Sequence, residues 1–105
     1  LTQLSTQATI AMAIKTWACE RTRELFEQER NAVVPQHVAT RARKKLILLN
    51  AAAGLEFLRV PPGNRLEKLT GDRGGQWSIR INDRFRLCFV FRAGNAYQVE
   101  IVDYH

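Results

Sequence analysis

The stretch QWSIRINDRFRLCFVFRAGNAYQVEIVDYH, residues 76–105, determines the fold class that this sequence predicts. Apolar and polar residues alternate with a period of two in three of its segments, which are 76–82, 85–92 and 97–103. This period is typical of half-buried β-strands. Turn residues separate the segments and no helical pattern lies between them, so we expect three consecutive antiparallel strands.

The alternation also predicts the register of these strands, because residues that face each other on antiparallel strands share one side of the sheet. The pairs expected across the first turn, a three-residue turn over 82–84, are Ile81–Phe85, Ile79–Leu87 and Trp77–Phe89. The pairs expected across the second turn are Phe91–Val99 and Phe89–Ile101. This register places Arg86 between Arg80 and Tyr104, on the face away from the aromatic core.

Two helices are expected ahead of the strands. The first is predicted over residues 20–30, and the second begins at Pro35 and runs to about Ala52. The apolar positions expected to face the sheet are Leu25 and Phe26 in the first helix, and Val38, Ala42, Leu46 and Leu49 in the second. Residues 14–17 predict a further short strand, and Pro61-Pro62-Gly63 predicts an extended turn. Helices followed by strands indicate an α+β fold, with two N-terminal helices packed on a small, mainly antiparallel twisted sheet.

The length of 105 residues fits one domain. Residues 1–11 carry no periodic pattern and are expected to be a flexible extension ahead of Met12, so that 12–105 form the single domain. No apolar run reaches the roughly 20 residues of a membrane span, and no secretory signal is visible, which favours a cytoplasmic location. Cys19 and Cys88 are isolated and are expected to be reduced.

The charge is unevenly distributed along the chain. The formal net charge is +6, and residues 1–40 hold four basic and four acidic side chains, so the whole excess lies in residues 41–105. A clustered basic surface attracts nucleic-acid phosphates by releasing their counterions. An acidic protein partner is the alternative that charge alone leaves open.

Two arginines, Arg80 and Arg86, face each other in the predicted register. Opposed guanidinium groups repel, but an anion bound between them makes the arrangement favourable, because guanidinium groups match phosphate oxygens. Arg73 and Arg84 lie close in sequence, so we expect the four arginines to bind a phosphate-bearing anion. Simple exposure of these side chains to solvent is the alternative.

Metal-free RNA cleavage requires a base for the ribose 2′-hydroxyl, an acid for the leaving 5′-oxygen, and cations for the charged phosphorane. A metal-assisted reaction would require clustered carboxylates. The carboxylates of this region are instead scattered among arginines, namely Asp72, Asp83, Glu100 and Asp103. We therefore expect no metal and no other cofactor. Of the two histidines, His37 is expected at the surface, whereas His105 reaches the arginine row in the predicted register.

Several short motifs follow one another in a fixed order in the second half of the chain. They are LRVPPGNRLE (58–67), GDR (71–73), WSIR (77–80), IND (81–83), RLCF (86–89) and VEIVDYH (99–105). Their order and spacing resemble the HigB branch of the RelE toxin superfamily, also called plasmid maintenance system killer proteins. The resemblance covers about residues 12–105.

This resemblance implies a RelE-type fold and the activity of a type II toxin, an endonuclease that cleaves mRNA in the ribosomal A site and so inhibits translation. It also implies two kinds of partner. One is a HigA-like helix-turn-helix antitoxin, through which the complex binds operator DNA. The other is the ribosome with its mRNA.

The resemblance further implies roles for individual residues. Asp103, Tyr104 and His105 match positions that carry or support catalysis, while Arg73 and Arg86 match phosphate-binding positions. Some relatives have an active-site lysine directly before Gly-Asp-Arg. This chain has a threonine at that position, and the nearest lysine, Lys68, is a further catalytic candidate.

Two alternatives to a nuclease stay open at the level of sequence. A catalytically inactive RNA- or ribosome-binding protein of the same fold would use the same basic surface. A protein-interaction module would use that surface only to bind an acidic antitoxin. The sequence also leaves open whether Tyr104 or His105 is the general base.

Overall fold

The computed structural model describes residues 12–104, so the expected extension over 1–11 and the candidate His105 lie outside the described residues. The helices are α1 (Glu20–Gln28), α2 (Ala39–Ala51) and the short α3 (Glu56–Arg59). The strands are β1 (Glu67–Lys68), β2 (Trp77–Arg80), β3 (Phe85–Arg92) and β4 (Asn95–Asp103). They form one four-stranded sheet in the order β1-β2-β3-β4, and each strand is antiparallel to the next. The predicted α+β class is confirmed. Within 12–104 no helix is long and apolar enough to cross a membrane.

The core lies between the long helices and one face of the sheet. The apolar stripe predicted for the second helix is buried at every position. Ala42, Leu46 and Leu49 lie in α2, and Val38 ends the 3₁₀ turn Gln36–Val38 directly before it. From the sheet, Ile79, Leu87 and Phe89 are fully buried in the same cluster, and α1 adds Leu25. Burial of side chains of this size contributes about 1.5–3 kcal/mol each, so the inward faces of α2 and β3 fix the fold.

The predicted short strand at residues 14–17 is a pair of isolated parallel bridges to β4. Ile14 bridges to Ala96 and Trp17 bridges to Val99. The segment therefore runs parallel to β4 at the edge of the sheet. The centroid of the Trp17 ring lies 5.6 Å from that of the Phe26 ring. The sheet is therefore mainly antiparallel, as predicted.

The register predicted between β2 and β3 is confirmed. The paired residues are Trp77–Phe89, Ser78–Cys88, Ile79–Leu87 and Arg80–Arg86. Ile81 donates its N–H to the Phe85 carbonyl at 2.9 Å, which leaves the expected three-residue turn. Asn82 stabilises this turn, because its Oδ1 accepts the N–H groups of Arg84 at 2.9 Å and Phe85 at 2.8 Å.

The register predicted between β3 and β4 is wrong. Phe91 faces Ala96 rather than Val99, Leu87 rather than Phe89 faces Ile101, and Arg86 faces Val102 rather than Tyr104. One reason is the turn itself, which is a two-residue turn with Ala93 and Gly94 at φ values of 50° and 78°. Two successive residues in this left-handed region match the twist of a tight hairpin.

The second reason is a β-bulge in β4. The register shifts between Cys88 and Val90, where β4 contains one more residue than β3. Gln98 has a φ of 53° in this bulge, and its N–H is accepted by Thr16 Oγ1 at 2.8 Å. The extra residue returns Val99 and Ile101 to the core face after the tight turn. Alternation of residue types does not reveal such an insertion.

The segment between α2 and the sheet also differs from the expected extended turn at Pro61–Gly63. Residues Pro62–Asn64 form a 3₁₀ turn, since the fixed φ of proline suits the first turn of a helix. Asn64 is buried beneath it, and its Nδ2 donates to the Leu58 carbonyl at 3.1 Å. Its Oδ1 accepts from Lys45 Nζ, which joins this turn to α2.

Thr22 gives a test of how α1 is joined to the sheet. Thr22 is fully buried, and its Oγ1 accepts the N–H of Ile101 at 3.1 Å. Replacing it with the isosteric valine leaves that N–H without its acceptor, so Thr22→Val is expected to lower the free energy of unfolding by about 1–3 kcal/mol. The measurement is urea unfolding monitored by circular dichroism. Thr40→Val, at an exposed position of α2, is the matched control, and equal losses for the two variants would contradict this role of Thr22.

Candidate active site

Polar side chains cover the sheet face that points away from α1 and α2. They surround an open cleft of about 390 Å³ that is lined by Arg65, Glu67, Arg80, Asn82, Asp83, Arg86 and Tyr104. The strand register explains this grouping, because Arg80 and Arg86 face each other directly on β2 and β3. The two arginines that the sequence placed opposite each other therefore share one cleft.

Arg86 is the most firmly held of the cleft arginines, with a side chain only 11% exposed. Its Nε donates to Ser78 Oγ at 2.8 Å and its Nη2 donates to the Arg65 carbonyl at 2.6 Å. Glu67 Oε1 forms an ion pair with the same Nη2 at 3.2 Å. Partners on three sides fix the plane of the guanidinium group before any substrate binds.

Arg80 is held more loosely, by the turn that follows β2. Its Nη2 pairs with Asp83, whose side chain is 99% exposed. Exposed ion pairs contribute about 0–1 kcal/mol, so an incoming anion competes with Asp83 at little cost. Arg80 is thus the more adaptable member of the facing pair.

The other two predicted arginines also bind carboxylates. Arg73 Nη1 donates to Glu100 Oε2 and to Gln76 Oε1, both at 3.0 Å. Arg84 binds Asp103 through both of its carboxylate oxygens, at distances between 2.8 and 3.1 Å. All four predicted phosphate-binding arginines therefore have a carboxylate partner in this structure.

Tyr104 lies at the rim of the cleft, and its backbone N–H donates to the Arg84 carbonyl at 2.6 Å. The phenol reaches back over the sheet, where Tyr104 Oη lies 3.8 Å from the Sγ of the buried Cys88. Burial raises the pKa of Tyr104, and the contact with Cys88 raises it further, while nearby Arg73 and Arg86 act in the opposite direction. Burial also raises the pKa of the Cys88 thiol. Both groups are therefore protonated at neutral pH, and the phenol has a proton to donate.

The structure does not bring Lys68 to the cleft. Lys68 pairs with Trp77, whereas its neighbour Glu67 pairs with Ser78 on the cleft face. Consecutive strand residues point to opposite faces, so Lys68 is exposed on the other side of the sheet. His37, the other histidine, is exposed in the turn Gln36–Val38, as expected.

Sequence reasoning missed several residues that build the site. Ser78 lies on the polar face of the strand predicted over 76–82, so the alternation of apolar and polar residues could have identified it as a residue of this face. Glu67 and Arg65 gave no signal, because β1 has only two residues and no readable period. Their contact with Arg86 spans about 20 positions of sequence and depends on the fold.

Comparison with known proteins gives three matches. The family described as RelE-like toxin of type II toxin-antitoxin system HigB matches residues 16–105. "Toxin HigB-1" of Vibrio cholerae is 39% identical over 70 residues, which are 67% of this chain and 74% of that protein. "Endoribonuclease HigB" of Proteus vulgaris is 32% identical over 92 residues, which are 88% of this chain and 99% of that protein.

The environment of Tyr104 predicts a high titration point for its phenol. Absorbance of the phenolate, recorded against pH for the native chain and for Tyr104→Phe, isolates this residue as the difference between the two curves. Because burial disfavours the charged phenolate, the difference is expected to titrate above the usual tyrosine pKa of 10.0. Titration below that value would contradict the partial desolvation of the phenol beside Cys88 and its role as a proton donor.

Proposed function

Because the chain belongs to the family of HigB-like, RelE-like toxins of type II toxin–antitoxin systems, we propose that it is an endoribonuclease that cleaves mRNA on the ribosome and so inhibits translation. The observation that carries the proposal is the cleft in which Arg80 and Arg86 face each other beside the protonated phenol of Tyr104. A relative that covers nearly the whole chain bears the name of an endoribonuclease, which supports the same activity.

The chemistry we propose is attack by the ribose 2′-oxygen on the adjacent phosphorus. The 2′-hydroxyl loses its proton to a base, the P–O5′ bond breaks, and the leaving 5′-oxygen takes a proton from an acid. The products are a 2′,3′-cyclic phosphate and a free 5′-hydroxyl. Neither a metal nor an organic cofactor takes part in this scheme.

The arginines stabilise the phosphorane in this scheme. Arg86 is already fixed by Ser78, the Arg65 carbonyl and Glu67, so its donors need no reorientation when charge develops. Arg80 approaches from the facing strand after it releases Asp83. Arg73, which is paired with Glu100, and Arg84, which is paired with Asp103, add further guanidinium groups around the cleft.

Tyr104 fits the role of the general acid, because its raised pKa keeps the proton on the phenol until the leaving oxygen needs it. The base then comes from a second group. Glu67 supplies a carboxylate that lines the same cleft, and His105 follows Tyr104 directly in sequence. Asp103 supports this end of the chain through its bidentate contact with Arg84.

The openness of the cleft favours dependence on the ribosome. An RNA strand on such a surface is free to adopt many geometries, and in-line attack by the 2′-oxygen requires one of them. Holding the strand in the reactive geometry accelerates such a reaction by many orders of magnitude, and the ribosome holds mRNA in the A site. We therefore propose programmed ribosomes as the true substrate.

Membership of a type II system implies an antitoxin partner for this toxin. We propose that the antitoxin is a HigA-like helix-turn-helix protein and that operator DNA is bound through it. The compartment proposed for the toxin is the cytoplasm, where ribosomes and the antitoxin are available. A catalytically inactive ribosome-binding protein of the same fold is the second candidate function, supported by the basic surface alone.

Tyr104→Phe separates the nuclease from the inactive binder. The variant keeps the ring and loses the proton, so cleavage of mRNA on programmed ribosomes is expected to fall by about 10²–10⁴-fold while ribosome binding is unchanged. The matched control is Tyr97→Phe, since Tyr97 lies in β4 outside the cleft and stacks on Arg92. Lys68→Ala is expected to stay within a few-fold of the native rate. Equal rates for the two tyrosine variants would contradict the acid role, and no cleavage by the native chain would favour the inactive binder.

His105→Ala tests the second acid–base group. If His105 takes the proton of the 2′-hydroxyl, cleavage on programmed ribosomes is expected to fall by about 10²–10⁴-fold, with unchanged folding and ribosome binding. His37→Ala is the control, because His37 is exposed and does not line the cleft. An unchanged rate for His105→Ala would assign the base to Glu67, and Glu67→Gln would then be the inactive variant.

A further inference from the structure

A second groove lies beside the cleft, between α2 and the end of β2. Its volume is about 550 Å³, and it is lined by Arg41, Lys44, Lys45, Leu48, Gly63, Arg80 and Ile81. Four of these seven side chains are basic, and no carboxylate belongs to the lining within residues 12–104. Among residues 12–104, the three cations that α2 contributes to the groove form no ion pair, whereas Arg80 and Arg86 of the candidate active site are paired with Asp83 and Glu67.

The basic residues of α2 are arranged along one flank of the helix. Lys44 and Lys45 lie three and four positions after Arg41, which places the Cβ atom of each lysine about 5–6 Å from that of Arg41. Arg41 and Lys44 are exposed, whereas Lys45 is partly buried and donates to the neutral amide of Asn64. Burial and the charges of Arg41 and Arg80 lower the pKa of Lys45, as expected where cations face one another without compensation.

Arg80 joins the groove to the candidate active site, because it lines both cavities. A strand bound between Arg80 and Arg86 would therefore continue past Arg80 and its partner Asp83 onto α2, where no carboxylate of residues 12–104 lines the groove. Gly63 adds space on the wall of the groove, where a Cβ would meet nothing within 4 Å. Leu48, on the same helix as the lysines, adds an apolar surface to the lining.

We propose that this groove binds the phosphate backbone of the single-stranded RNA on one side of the scissile bond, with Arg41, Lys44 and Lys45 as the contacts. The proposal rests on the proposed function, since it takes the cleft as the place of cleavage. Continuity through Arg80 favours an RNA strand over an acidic protein segment, because one ligand then accounts for both cavities. The groove would extend the binding site and leave the chemical step unchanged.

The test uses the double variant Arg41→Ala/Lys44→Ala, whose two side chains are exposed and whose loss spares the core. The matched control is Lys15→Ala/Arg21→Ala, which removes the same charge at exposed positions outside both cavities. The probes are 2′-O-methyl oligoribonucleotides, which resist cleavage, of about four and about twelve nucleotides. Dissociation constants are measured against salt concentration, and cleavage by the native chain on programmed ribosomes is measured in parallel.

The expected result is weaker binding of the longer oligonucleotide by the groove variant, with a slope of log K against log salt that is smaller by about 1.4 for two lost phosphate contacts. Binding of the shorter probe and both properties of the control variant are expected to match the native chain. If the native chain cleaves mRNA on ribosomes and the groove variant shows the same salt slope as the native chain, the groove proposal is overturned and the proposed function stands.

Other outcomes also decide the question. If the native chain cleaves mRNA on ribosomes but binds neither oligonucleotide, the groove has no affinity for an RNA backbone and the proposal is overturned. Loss of antitoxin binding by the groove variant, with unchanged RNA binding, would assign the groove to a protein partner and overturn the proposal. A native chain that neither cleaves nor binds RNA would overturn this proposal together with the proposed function.

Discussion

The inward face of β3 is the constraint on which the rest of the structure depends. Leu87 and Phe89 are fully buried in one core cluster with the apolar residues of α2, and β3 pairs with β4 from Phe85 to Arg92 and with β2 from Arg86 to Phe89. Because side chains alternate, burying these residues forces Arg86 and Cys88 to the opposite face. The position of the central arginine of the cleft thus follows from the apolar residues beside it.

The bulge at Gln98 determines which residues at the end of β4 face the core. The tight turn at Ala93-Gly94 would by itself point Val99 and Ile101 away from the core, and the extra residue reverses them. Contact with Thr16 ties the bulge to the segment ahead of α1. The tight turn places Tyr104 beyond its predicted position opposite Arg86, so its N–H pairs with the Arg84 carbonyl and the phenol reaches back from the rim of the cleft to Cys88.

The sequence predicts regular elements well and irregular ones poorly, for physical reasons. The stripe of α2 and the register of β2 with β3 follow from unbroken periods of 3.6 and 2, and both are confirmed. The bulge in β4, the two-residue β1 and the 3₁₀ turn at Pro62–Asn64 have no period of their own. They depend on contacts between distant residues, such as Asn64 with Lys45 and Glu67 with Arg86. The candidate arginines could therefore be predicted from the sequence, whereas their carboxylate partners and the side of the sheet on which Lys68 lies could not.

The distribution of carboxylates distinguishes the two basic surfaces. In the cleft, an RNA phosphate must compete with Glu67 for Arg86 and with Asp83 for Arg80, so capture there depends on a strand that is already well placed. No carboxylate lines the groove on α2 within residues 12–104, so a phosphate that binds Arg41, Lys44 or Lys45 meets no competitor there. It follows from the two proposals that the groove makes the early, salt-sensitive contact and the cleft makes the late one. Because Arg80 belongs to both surfaces and its partner Asp83 is almost fully exposed, it is the residue at which the strand passes from one to the other.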